Sequence, residues 1–228
     1  MRVSEDEMDL MLRDTLRFLS AIGIRTVVKP GVSGFLPRCR ISRGSLYLDE
    51  TCPISNILHE AGHLAIIPPA YRRSINKDVE AGIAKMWETM GEHTLHPDHP
   101  LMRAAMSCGD SEATAWAFAA GLAIGLPPEM IILDSEYQGD GAEIRGLLAY
   151  SARNPGAAGG YIGIHGLAWG GMCSASHWGP HPCWPKFRTW TQDAVLETGR
   201  SRVSTLLSAQ SWYQSTPHTT DRFPLCTT

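Results

Sequence analysis

The run PISNILHEAGHLAII, residues 53 to 67, leaves little freedom of local structure. Ile54, Ile57, Leu58, Ala61, Leu64 and Ala65 recur at helical spacing. Pro53 suits a first helical turn, Thr51 or Cys52 stands before it as a cap, and Pro68-Pro69 stops the helix. Within it, His59 and His63 are four residues apart, so their imidazoles share one face, about 40° apart around the axis. Two neutral imidazoles so placed can grip one zinc ion, and Glu60, one residue round, can reach a water on that metal. The metal would lower the water's pKa towards ~7, and the carboxylate would take its proton during attack on a carbonyl. The competing interpretation is an ordinary buried helix with two satisfied histidines. Gly62 costs roughly 1 kcal/mol against Ala in a helix interior, which predicts a second backbone passing close by.

Around this helix the sequence predicts an α+β protein, mostly helical, with a small sheet near the N-terminus. Ser4 and Glu7 form a capping box before Met8, Leu12, Leu16 and Leu19, and Gly23 closes that helix. Residues 24–28, 38–41 and 45–49 look like strands, with Ser42-Arg43-Gly44 as a hairpin turn. A basic loop over residues 71–77 is expected as solvated surface or as a seat for an acidic partner. Helices are expected at 78–90, 101–108, 109–125, from Leu126 onward and at 140–150. Asp78 caps the first of these, and Asp110 or Ser111 caps the helix ended by Gly125.

Residues 1–153 form the expected core, and 154–228 an extension packed on it with a frayed tail after Ser211. Asn154 to Pro185 holds eight glycines and no Asp, Glu, Lys or Arg. Its Gly159/Gly163 and Gly166/Gly170 pairs are expected to pack closely inside a soluble core.

A catalytic zinc usually has three protein ligands and one open position. A third histidine six residues after His63 is excluded, because Pro69 stands there. Glu112 is the first candidate, since it lies in the first turn of a strong helix among small residues. That helix can come close to Gly62. Asp110 is the second candidate, or else it caps the helix or orients a histidine. His93, His96 and His99, on a proline-punctuated loop, compete as a group.

HEAGHLAIIP followed by EATAWAFAAGLAIGLPPE resembles the ImmA/IrrE type of zinc metallopeptidase. That family pairs an H-E-x-x-H helix with a downstream E-A-x-x-F-A-x-x-L-L-x-P helix. The resemblance covers roughly residues 45 to 130. It implies a zincin-like fold, Zn2+ held by His59, His63 and Glu112, and Glu60 as general base. It also implies cytoplasmic proteolysis, in several members directed at a transcriptional repressor. Thr114 stands where Asn is frequent in the family, and the gap from His63 to Glu112 is longer than usual there.

Net charge near -3 offers no broad electrostatic attraction for nucleic acid or an anionic membrane. No signal peptide or membrane span is expected, so the six cysteines are expected to be reduced thiols in a cytoplasmic protein. Cys173, His177, His181 and Cys183 could hold a structural zinc, with packed side chains as the plainer expectation. His165 or Tyr161 could donate a hydrogen bond to a tetrahedral oxyanion. The leading expectation is therefore a zinc metallopeptidase acting on a protein or peptide. A non-catalytic zincin-like binding or regulatory module and a zinc hydrolase of a non-peptide amide are the alternatives.

Overall fold

The computed structural model describes residues 4–91, 93 and 95–196. Helix α1 (Glu5–Ala21) opens on the expected capping box: the Glu7 amide donates to Ser4 Oγ, and the Ser4 amide donates to the Glu7 carboxylate at 2.9 Å. Gly23, at φ +83°, then turns the chain out of the helix, and the Ile24 amide donates back to Leu19 O.

Strands β1 (Thr26–Val28), β2 (Cys39–Ser42) and β3 (Ser45–Leu48) form one sheet in the order β1-β3-β2. β1 runs parallel to β3, with Val27 opposite Tyr47, and β2 runs antiparallel to it, with Ile41 opposite Leu46. Arg43 and Gly44 both have positive φ, the two-residue turn whose twist suits a hairpin. Cys39, Ile41, Leu46 and Leu48 point from this sheet into the core.

Helix α2 (Ile54–Ile66) follows directly and is buried along nearly its whole length. Its start differs from expectation: Pro53 occupies the cap position itself, and no side chain caps the helix. The Thr51 hydroxyl bonds to Asp49 instead. Pro68 and Pro69 end the helix as anticipated and begin a short 3-10 turn. The basic loop is not all solvated surface, because Arg72 donates to the carbonyls of Ile67 and Gln192, at 3.1 and 2.6 Å. It thereby satisfies a carbonyl at the end of α2 and ties the chain near residue 192 to it.

Helices α3 (Val79–Met90), capped by Asp78, and α4 (Pro100–Met106) lead to α5 (Asp110–Ala123). α5 packs against α2 across the centre of the molecule. Here too the cap differs from expectation, since Gly109 takes the cap position and neither Asp110 nor Ser111 caps the helix. Helices α6 (Pro128–Ile131), α7 (Gly141–Arg153) and α8 (Gly163–Trp169) complete the described helices.

The described residues up to Val195 form one compact unit, and α8 lies directly on α5. A Cβ on Gly163 would collide with the backbone of Ser111 and one on Gly166 with the Glu112 side chain, so the expected close glycine packing holds at these two, whereas Gly159 faces open space. Trp116 Nε1 donates to Trp190 O at 2.8 Å and Trp184 Nε1 to Ala115 O at 3.3 Å, pinning the segment after residue 154 onto α5. The expected frayed tail, with Trp212 and Cys226, lies outside the described residues. Among the described residues the fold is α-rich with one small three-stranded sheet. No described helix is long and apolar enough to cross a membrane.

Candidate metal centre

α2 and α5 meet at Gly62. A Cβ there would stand 2.6 Å from the Ala113 carbonyl oxygen, so only glycine lets the two backbones come this close. The side of α5 that carries Ala113 also carries Asp110, three residues earlier. His59 and His63 lie on the adjoining face of α2, and the three side chains converge. His59 Nε2 and His63 Nε2 are 3.2 Å apart, and Asp110 Oδ1 lies 3.2 Å from the first and 3.6 Å from the second. This is the one group of three or more His, Cys, Asp or Glu placed to hold a metal ion among the described residues.

The structure places Asp110, the second candidate, beside the two histidines, and Glu112, the first candidate, apart from them. Glu112 is two residues from Asp110, about 200° round the helix, and faces away from the histidines. Its Oε2 accepts from Ser111 Oγ at 3.0 Å, and its Oε1 lies over Gly166 of α8, where a Cβ would collide with it. The loop histidines are also elsewhere. His99 Nδ1 accepts from the Leu101 amide at the start of α4, and His96 Nδ1 from the Asp98 amide. Cys173, His177, His181 and Cys183 are not brought together in such a group among the described residues: Cys173 is buried, whereas His177 is exposed.

The donor set fits a small divalent cation. A tetrahedral zinc with bonds of about 2.0–2.1 Å has ligand atoms about 3.3 Å apart, close to the three edges seen here. The imidazoles of His59 and then His63, facing its carboxylate, hold Asp110 well below the usual carboxylate range. Its side chain is 68% exposed whereas that of His63 is 8% exposed, so the group is open on the Asp110 side.

A cleft of about 470 Å³ opens there, lined by His59, Glu60, His63 and Asp110 with Phe35, Val79 and Ile83. Glu60 is buried on the same helix, and burial pushes its carboxyl above the usual range while His63 and His59 oppose the shift. Cys108 also lines the cleft. Burial pushes its thiol up to about 12, so at neutral pH it is a protonated donor, bonded to Ala104 O, and not a nucleophile. His165 is exposed and, with Tyr161, lines a separate hollow beside Asn154 and Trp184, not the cleft. Burial raises the Tyr161 hydroxyl, with a hydrogen bond to Thr114 opposing it.

One residue in contact with the group had no sequence signal. Tyr137 Oη lies 3.2 Å from His59 Nδ1 and 2.8 Å from Thr114 Oγ1. It comes from the turn between α6 and α7, where no periodic pattern marks a side chain as inward-facing. Burial raises its hydroxyl well above the ordinary range, so it stays protonated.

Comparisons with protein-family models, with curated proteins and with solved structures give no match.

Proposed function

We propose that the chain is a zinc-dependent metallopeptidase with a zincin-like fold. In this reading His59, His63 and Asp110 hold the metal, and Glu60 is the general base. The observation that carries it is the triangle of two imidazole nitrogens and a carboxylate oxygen, with Glu60 in the same cleft. A zinc ion held there supplies Lewis-acid polarisation of a carbonyl and activation of water.

Glu60 then has two tasks. It accepts a proton from the attacking water at its carboxylate, and it returns that proton to the nitrogen of the departing amine. A binding module needs no buried carboxylate beside its ligands, so Glu60 favours an enzyme over the non-catalytic alternative. Phe35, Val79 and Ile83 give the cleft an apolar wall against which a peptide side chain can lie. The substrate class is therefore a protein or peptide, a transcriptional repressor being the class that the ImmA/IrrE resemblance offers. The free thiols of Cys39, Cys52, Cys108, Cys173 and Cys183 support a reducing compartment, the cytoplasm.

The test is paired. Purified protein is expected to carry about one zinc per chain. It is expected to cleave a casein-type substrate or a peptide library, and Glu60→Gln to keep the metal and lose turnover. Full cleavage by Glu60→Gln would remove Glu60 as the base. Stoichiometric zinc with no peptide cleavage would leave the module or a non-peptide amide as substrate.

A further inference from the structure

Four polar groups from three separate stretches of chain form a directed series. Starting at the metal group, His59 Nδ1 lies 3.2 Å from Tyr137 Oη, which lies 2.8 Å from Thr114 Oγ1. Thr114 Oγ1 in turn donates to the carbonyl of Asp110 at 2.9 Å. Ligation of a metal through Nε2 would put the His59 hydrogen on Nδ1, and one consistent arrangement of the other hydrogens follows from that. With Thr114 Oγ1 donating to the Asp110 carbonyl, it accepts from Tyr137. Tyr137 has one hydrogen, so towards His59 it then accepts. His59 carries its hydrogen on Nδ1 in this arrangement, which leaves the Nε2 lone pair aimed at His63 and Asp110.

We propose that Tyr137 is a positioning residue for the metal ligand His59, through a relay that runs by Thr114 to the backbone of Asp110. The proposal rests on the metal-centre reading above. The relay selects the one tautomer able to ligate through Nε2, and it joins the two ligand-bearing helices from behind. Thr114 is fully buried, so no bulk water competes for its hydroxyl.

Tyr137 is also held at φ +53° and Gln138 at +62°. Such backbone is unfavourable for a side-chain-bearing residue by roughly 1–2 kcal/mol, and it persists where surrounding contacts fix it. The side chain held in this turn makes the two hydrogen bonds that reach towards the metal group. His63 makes the contrast: its Nδ1 is buried with no hydrogen-bond partner among the described residues, so the relay serves His59 alone.

Two variants enter the relay from different elements, Tyr137→Phe from the turn and Thr114→Val from α5. In the metal-free full chain, histidine ring 15N spectra are expected to show His59 with its hydrogen on Nδ1 and the variants with that preference lost. Zinc affinity, measured by competition with a chelator, is expected to fall ~10 to 100-fold in each variant. The double variant is expected to lose no more than the weaker single one, because both cut the same series. That non-additivity and the tautomer shift separate positioning from general loosening of the fold, which moves neither. If wild-type protein binds zinc and Tyr137→Phe matches it in affinity and tautomer, the relay assignment is overturned and the metal centre stands. If wild-type protein binds no zinc, both are overturned.

Discussion

Gly62 and Ala113 touch backbone to backbone where α2 crosses α5, and that contact sets which residues of α5 face the histidines. A Cβ on Gly62 would stand 2.6 Å from Ala113 O and 3.1 Å from Ala113 Cα. Neither atom belongs to a flexible side chain, so the helices themselves would have to separate.

Gly62→Ala is therefore expected to destabilise the protein even though alanine is the better helix former. Overpacking of a tight core costs about 1–3 kcal/mol, partly offset by roughly 1 kcal/mol of helix propensity. A net loss of ~1 kcal/mol lowers the melting temperature by about 2–4 °C in a unit of this size. Because the shift carries Asp110 away from His59, zinc affinity is expected to fall as well. Thermal melts with and without zinc check both effects. A rise in melting temperature would mean that the crossing is looser than described.

Much of this arrangement was legible in local chemistry. The capping box at Ser4, the Arg43-Gly44 turn, the prolines after α2 and the close approach at Gly62 each follow from one or two residues whose physics is local. The rotation of α5 did not follow in that way. From Ala113 to Gly121 every residue is buried, so the helix has no polar face to reveal which way it turns. Asp110 and Glu112 were both chemically suitable, and only packing on Gly62 and under Gly166 separates them. Tyr137 was out of reach for a different reason. Its place depends on a left-handed turn and on contacts with residues 59 and 114, far away in the chain.

Asp49 provides a pH test away from the metal centre. Its carboxylate accepts from the Thr51 hydroxyl at 2.7 Å, the Thr51 amide at 3.1 Å and the Gly31 amide at 2.7 Å, holding the chain after β1 beside the end of β3. The Thr51 hydroxyl, then the two amides, hold its carboxyl below the usual range. A carboxyl depressed in the folded state contributes stability above its unfolded pKa of ~4, and that contribution is lost as pH falls through the folded value. Asp49→Asn is thus expected to melt below wild type at pH 7, with the gap closing below about pH 4. A gap of constant size across that range would show that charge at residue 49 is not its source.

The sharpest prediction compares Asp110→Asn with Glu112→Gln. Two neutral histidines leave a dication uncompensated, so the charged oxygen ligand carries the largest single share of local neutralisation. Asp110 Oδ1 sits 3.2 and 3.6 Å from the Nε2 atoms of His59 and His63, whereas Glu112 is turned towards Ser111 and the glycine face of α8. Asp110→Asn keeps the shape and removes the charge, and it is expected to weaken zinc binding by more than the ~10 to 100-fold typical of groups that merely orient a ligand. Glu112→Gln is expected to stay within a few-fold of wild type in affinity, on the order of 1 kcal/mol or less. Its effect should appear in the melting temperature of the metal-free protein, where α8 packs over residue 112. Competitive zinc titration of both variants at one pH decides the matter. Should Glu112→Gln be the more damaging to affinity while the metal-free melt is unchanged, α5 must rotate when metal binds and Glu112, not Asp110, is the ligand.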